Sequence, residues 1–247
     1  MDNKFNADIS FWTGFYNDED CFSWASNKAY LDMNRTMTFK ETPKNDSQKE
    51  KDRIDALRKP WRDAGTKAIK DGFKSVPTDF TVWHKSICEK LIEIYGTDKL
   101  VKKEKNKRTE QPAKLTYGQA QKWLNMTLKY LWLLDRLELI DDVNVSSFIR
   151  THAKSFHVPL DSYILRYVAK QDKSKKDKFA SSNNNELKSD FNDYFNDYCE
   201  SLGSAWSHID NADEYYEYQR KLADAVANTS PLEWELIHWH KALKYYG

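Results

Sequence analysis

Apolar residues recur every three or four positions along much of the chain, a spacing typical of helices that bury one face. The strongest pattern lies in Thr116–Leu137, where apolar positions cover a wide arc, as in a helix near the middle of a domain. A second stripe lies in Thr78–Tyr95, and Gly96 follows it as a C-terminal cap. Shorter helices are predicted for Ser146–Ser155 and, from a proline in its first turn, for Pro159–Lys170. The pattern predicts an all-α fold.

Capping signals mark two more helices near the C-terminus. Ser230, Pro231 and Glu233 have the order of a capping box with proline in the first turn, and they open a final helix. Asn211 is followed three residues later by Glu214, which predicts the start of the helix before it.

Two polar segments interrupt the helical pattern. The lysine-rich connector 98–114 is the best candidate for an internal boundary, and Gln171–Asn185 has the low-complexity composition of a mobile surface loop. Glu41–Lys59 is charged with few apolar residues, which indicates an exposed helix or a linker, and Pro60 suits the first turn of a helix that begins there. We expect a single domain over the whole chain, with about eight to ten helices arranged around Thr116–Leu137.

Composition agrees with a packed helical protein. Hydrophobic residues make up 40% of the 247 residues and aromatic residues 14%, which is enough for a core, and 7 Gly with 6 Pro are few for a turn-rich β protein. No apolar run reaches the roughly 18 residues of a membrane span. The 3 cysteines are far apart, which indicates neither a disulfide framework nor a zinc motif. We therefore expect a soluble, cytoplasmic protein with no membrane partner, no metal and no cofactor.

Charge is balanced overall but unevenly distributed. The net charge is +1, yet residues 181–247 contain 12 acidic and 5 basic residues, so the first 180 residues carry +8. This asymmetry has two interpretations. The acidic third packs against the basic part and partly cancels its field, or the basic part offers a surface for phosphate backbones.

A polar stripe runs along the predicted helix Thr116–Leu137, opposite its main apolar arc. It contains Gly118, Lys122, Asn125, Lys129 and Arg136, and Trp132 lies within it; Lys122, Asn125, Lys129 and Trp132 are the candidate ligand-binding residues. Because a buried cation needs a partner, the stripe either faces water or pairs with carboxylates such as those of the C-terminal third. Alternatively, it lines a groove for a nucleic-acid or nucleotide phosphate, with Trp132 as a stacking face. A protein partner is the third alternative.

A second set of candidate residues lies around Pro159. Asp161 falls in the first turn of the predicted helix, and His157 lies just before that turn, so the pair has the order of a carboxylate that orients a general base. The same residues also suit local backbone capping. Arg150 precedes His157 by seven residues, which resembles the Arg-x4–6-His pattern of HEPN-type ribonucleases. That resemblance implies a metal-independent reaction in which Arg150 stabilises phosphorane charge and His157 moves the proton.

Familiar catalytic motifs are missing from the sequence. It has no phosphate-binding Gly-x-x-x-x-Gly-Lys loop, no Gly-x-Gly-x-x-Gly and no Gly-x-Ser-x-Gly. Three hypotheses remain: binding of nucleic acid or of a nucleic-acid-processing protein through the polar stripe, a HEPN-like ribonuclease using Arg150 and His157, and a protein-interaction module such as an inhibitor or adaptor. The pattern does not decide whether the protein is an enzyme, and it leaves the oligomeric state open.

Overall fold

The computed structural model describes residues 13–14, 16, 20–74, 78–103, 110–164, 206–226 and 229–246. These residues are mostly helical, with one small two-stranded sheet. In chain order the longer elements are α1 (Cys21–Asn34), α2 (Gln48–Gly72), α3 (Phe80–Tyr95), β1 (Leu100–Lys103), β2 (Glu110–Ala113), α4 (Tyr117–Arg136), α5 (Val143–His152), α6 (Ala212–Val226) and α7 (Pro231–Tyr246). Short 3-10 turns cover Ala153–Ser155 and Trp206–His208.

Several helix ends follow the local chemistry of their caps. The Thr116 hydroxyl accepts from the backbone of Gln119, whose side chain accepts in return from the Thr116 backbone, and this capping box begins α4. Gly96 ends α3 with a φ of 55°, a left-handed conformation that glycine adopts without strain. The predicted caps of α6 and α7 are confirmed, because Asn211 accepts from the Glu214 amide and Ser230 accepts from the Glu233 amide.

The predicted helix starts at Pro60 and Ser146 are wrong. Pro60 lies inside α2, which runs from Gln48 to Gly72 without interruption. A proline removes only one backbone hydrogen bond, and the buried side chains on both sides of it, Ile54 and Ile69, continue the packed face. Helix α5 begins three residues earlier than predicted, since the Asp142 carboxylate caps the first turn.

The lysine-rich connector is an antiparallel hairpin. Leu100 pairs with Ala113 and Lys103 with Glu110, while Phe39 forms a bridge to Leu100 on the other side of β1. Leu100 and Phe39 are buried, so the hairpin is attached to the helical body at its base. The mostly helical structure agrees with the predicted all-α class, and the small sheet is an addition that the pattern did not predict, because strands of four residues are too short for period-two alternation to be recognised.

Helix α4 is buried on every side, from Tyr117 to Asp135. It packs against α1, α3 and α5, and α2 approaches it closely at Gly65, where an added Cβ would overlap with the ring of Trp123. The Trp123 indole donates to the backbone carbonyl of Ser26 on α1 at 3.0 Å. A helix without an exposed face must satisfy its polar side chains internally, which determines the surroundings of the polar stripe.

The start of α4 lies against the backbone of the second 3-10 turn. The Gly118 amide donates to the Ile209 carbonyl at 2.8 Å, and an added Cβ would overlap with the carbonyl oxygen of Trp206. Glycine to alanine in a helix ordinarily stabilises it by about 0.5–1 kcal/mol. We expect Gly118→Ala to have the opposite sign and to lower the free energy of unfolding by about 1–3 kcal/mol, because the obstacle is backbone. Urea unfolding measures this, and an unchanged or raised free energy would contradict the close approach.

Some predictions concern residues outside this description. Residues 162–164 are helical, so this helix begins after Asp161 and not at Pro159 as predicted, and 165–170 and the loop Gln171–Asn185 lie outside the described residues. Within the described ranges, none of the helices combines the length and apolar character needed to cross a membrane.

Candidate functional site

The four candidate ligand-binding residues of the polar stripe are buried, whereas its last residue, Arg136, is exposed. Lys122, Asn125, Lys129 and Trp132 are at most 6% exposed, and both Asn125 and Lys129 are completely enclosed. The alternatives in which these side chains face water or lie open to a ligand are therefore wrong. The reason is tertiary: α4 is covered on the polar side as well, by α6, by α7 and by the segment around Asp161.

Lys129 forms an ion pair with Glu235 of α7. The ammonium nitrogen lies 2.6 Å from a carboxylate oxygen, and the two side chains are 0% and 1% exposed. Desolvating either charge alone costs several kcal/mol, so each group requires the other. Of the interpretations of the stripe given above, this ion pair agrees with the one in which its lysines pair with carboxylates of the acidic C-terminal third.

Lys122 pairs with Asp161 at 3.3 Å, again with both side chains largely buried. The other oxygen of Asp161 accepts from the Ile164 amide at 2.8 Å, so this carboxylate also caps the turn at 162–164. The ammonium of Lys122 lies 5.7 Å from the Trp206 ring centroid. Asp161 therefore pairs with a lysine and caps a turn. Among the described residues, no hydrogen bond joins it to His157.

Asn125 organises a buried cluster of uncharged polar side chains. Its amide nitrogen donates to the Tyr215 hydroxyl and to Gln121, both at 2.8 Å, and its oxygen lies 3.0 Å from Nε2 of His84. The Tyr215 hydroxyl is also 2.8 Å from Nδ1 of His157. We call His84, Asn125, His157 and Tyr215 the histidine cluster.

Both histidines of this cluster are neutral at pH 7. Burial lowers the pKa of His84 to about 4, against the opposing effect of its hydrogen bond with Asn125. Burial also holds the pKa of His157 well below its usual value, and the neighbouring His84 lowers it further. The two rings are 4.6 Å apart between centroids, and Phe80 packs against both. The histidine cluster thus fills the space between α3, α4 and α6 as a neutral, hydrogen-bonded part of the core.

Arg150 and His157 lie in different surroundings. The Arg150 guanidinium is 65% exposed and donates through Nε to both oxygens of Asp135, while His157 packs within the histidine cluster. Arg150 instead lines a surface cavity of about 360 Å³ together with Trp132, Arg136, Asp135 and Glu138. Two arginines there face two carboxylates, so the cavity has no excess of positive charge.

A row of lysines crosses the hairpin. The register that pairs Leu100 with Ala113 brings Lys99 opposite Lys114, and the amide of Lys40 donates to the Lys99 carbonyl at 3.0 Å on the other side. We call Lys40, Lys99 and Lys114 the lysine row. Lys40 and Lys114 are exposed, whereas Lys99 is 17% exposed, pairs with Asp98 at 2.8 Å and lies over the Trp61 ring. The charge run was visible in the sequence, but its strand register was not.

The other chemical signals of the described residues are few. Among these residues, no group of three or more His, Cys, Asp and Glu side chains has an arrangement that could hold a metal ion. Comparison of the chain with family models, with curated proteins and with solved structures finds no match. Any functional conclusion must therefore come from the chemistry of the surfaces and sites themselves.

Proposed function

We propose that the protein binds nucleic acid and that it does so through the lysine row rather than through the polar stripe. The observation that carries this proposal is the placement of three lysines on adjacent chain segments, each one residue beyond the paired positions Phe39, Leu100 and Ala113. A cluster of lysines on one part of the surface is the electrostatic feature expected of a protein that binds a polyanion such as nucleic acid.

The charge balance of this region supports the same conclusion. The described residues 38–44, 98–103 and 110–114 together contain six basic and three acidic residues, a net charge of +3 in a chain whose total is +1. The rest of the chain is therefore net negative. A positive surface on an otherwise negative protein orients an approaching polyanion toward the hairpin.

Several basic residues elsewhere on the described surface form ion pairs with nearby carboxylates. On α2, Lys59 pairs with Asp63 and Lys67 with Asp71, one helical turn apart, and on α6 Arg220 pairs with Glu217. Such pairs are typical of solvated helix faces. In the lysine row, Lys99 forms an ion pair with Asp98. The excess of positive charge there therefore comes from Lys40 and Lys114.

Charge reversal of the two exposed lysines tests the proposal. We expect Lys40→Glu/Lys114→Glu to weaken binding of labelled single-stranded or duplex oligonucleotides at least tenfold, measured by fluorescence anisotropy. The slope of log affinity against log salt concentration should fall by about two, since each lost phosphate contact accounts for about 0.7–0.9. The free energy of unfolding should stay the same or rise by about 0.2–1 kcal/mol, because Lys99 then lies between two carboxylates.

The matched control is Lys85→Glu/Lys154→Glu. Both lysines are exposed and lie outside the hairpin, and the double substitution makes the same change in net charge. Equal affinities for the two double variants would overturn the proposal, because the effect would then come from overall charge. Equally tight binding of wild type to polyglutamate would also overturn it, since the partner would then be an acidic polypeptide.

A further inference from the structure

A small cavity beside the lysine row carries cations that are not neutralised. It has a volume of about 220 Å³ and lies between α1 and α2, next to the chain segment that leads away from Lys40. Its walls are Tyr30, Leu31, Asn34, Pro43, Lys51, Ile54, Asp55, Arg58 and Arg62. The positions from α2 recur at three- and four-residue spacing, so one face of that helix forms the cavity wall.

Arg58 is the residue with the least compensated charge in this cavity. Its guanidinium stacks on the Phe39 ring, 3.7 Å from the centroid, and one terminal nitrogen donates to the backbone carbonyl of Glu41 at 2.8 Å. Its Nε is shielded from solvent and has no hydrogen-bond acceptor in the described part of the chain. Burial lowers the pKa of Arg58, a sign that its surroundings disfavour the cation.

The other charged groups of the cavity do not compensate for Arg58. Asp55 is the acidic side chain in the wall; it is 64% exposed and pairs with Arg62 at 3.0 Å. Lys51 is exposed on the rim, and no described carboxylate forms an ion pair with it. The wall of the cavity therefore holds three cationic side chains, Lys51, Arg58 and Arg62, but one carboxylate. The Nε of Arg62, like that of Arg58, is shielded from solvent and has no hydrogen-bond acceptor among the described residues.

The size of the cavity limits what it can hold. Its volume of about 220 Å³ exceeds that of a single water, ~30 Å³, but lies below the ~300–1,000 Å³ typical of pockets for whole organic ligands. A tetrahedral oxyanion fits this space and matches the planar donor pattern of an arginine.

We infer that this cavity is a subsite for one phosphate group. The inference rests on the proposed function for the source of that group, which is a phosphate of the nucleic acid held by the lysine row. Phe39 connects the two places, because it pairs with Leu100 in the hairpin and supports the guanidinium of Arg58. The subsite would fix the position of the nucleic-acid strand along the protein. A phosphate held in a cavity cannot slide, whereas one held by exposed lysines can.

Inorganic phosphate is the probe that tests the subsite by itself. Isothermal titration of the full chain should give saturable binding that weakens at least tenfold in Arg58→Gln and severalfold in Lys51→Gln. Arg53→Gln and Lys49→Gln are the matched controls, since both residues are exposed on the same helix and neither lines the cavity. Lys51→Gln keeps the inference testable if Arg58→Gln fails to fold, because Lys51 is exposed.

Oligonucleotide binding by the same variants separates the two proposals. If wild type binds oligonucleotide, and Arg58→Gln and Lys51→Gln bind it as tightly as their controls do, the subsite is wrong while the proposed function stands. If wild type binds phosphate but no oligonucleotide, the cavity is a site for the free anion and the proposed function is wrong. Loss of both affinities in Arg58→Gln supports the inference. Absence of saturable phosphate binding to wild type overturns it.

Discussion

Glu235→Gln should lower the free energy of unfolding by about 3–5 kcal/mol, the typical cost of removing one partner from a buried ion pair. The change keeps the size of the side chain but takes away the negative charge that Lys129 faces 2.6 Å away in a fully enclosed site. A domain of ordinary stability has about 5–15 kcal/mol in total, so this substitution removes a large share. Urea or guanidinium unfolding at pH 7 measures the effect.

Two further variants test whether burial causes this effect. Glu217→Gln makes the same chemical change in the exposed pair with Arg220 and should cost at most about 1 kcal/mol. The double variant Lys129→Met/Glu235→Leu removes both charges and should recover most of the lost stability, since an apolar pair carries no desolvation cost. A cost for Glu235→Gln no larger than that of Glu217→Gln would mean that the pair is hydrated in solution.

Acid should destabilise the protein through the histidine cluster before it protonates most carboxylates. The pKa of His84 is about 4 in the folded protein and about 6.5 when unfolded, so between these values the unfolded chain binds one more proton. Stability from this group is therefore complete above pH 6.5 and is lost as the pH falls toward 4. At about 1.36 kcal/mol per pKa unit, His84 alone accounts for a loss of about 3 kcal/mol.

The groups around His84 do not offset this loss. Burial raises the pKa of Cys88 and of Tyr215, and it raises the pKa of Tyr216 to about 12, so all three stay uncharged across the window. His157 adds a loss of the same sign, since its pKa is also lowered.

The pH dependence of urea unfolding between pH 7 and 4.5 measures the proton uptake. His208→Gln is the control, because His208 is exposed and the substitution should leave the slope unchanged. His84→Gln should lower stability at pH 7 and reduce the slope by about one proton. A wild-type slope near zero between pH 6.5 and 4.5 would contradict neutral, buried histidines.

Local patterns were enough to predict most helices of the described chain. The stripe over Thr78–Tyr95 and the cap at Gly96 correspond to α3, and the capping signals at Asn211 and Ser230 correspond to α6 and α7. These features depend on residues within one or two turns of each other, so the chain near each helix end contains the information. The same local reasoning was wrong at Pro60, where packing outweighs the loss of one hydrogen bond.

The candidate sites were much less predictable. The identities of the polar residues on α4 were read correctly, but their partners Glu235 and Tyr215 lie about a hundred residues away along the chain. The lysines of 98–114 were recognised as a charge run, yet the register that aligns them with Lys40 depends on strand pairing. Arg58 carried no signal at all, since an arginine in a charged helix is ordinary until its neighbours are known.

The sequence by itself determined that this chain builds helices, where many of them begin and end, and that one of them carries cations among apolar residues. Those properties follow from backbone hydrogen bonding and from side-chain spacing within a few residues. The tertiary structure alone decided that Lys122 and Lys129 of α4 are enclosed and paired, and that, among the described residues, exposed positive charge lies instead at Lys40 and Lys114 and beside Arg58. Charges act through space, so their neutralisation depends on which distant segments the fold brings within a few ångströms.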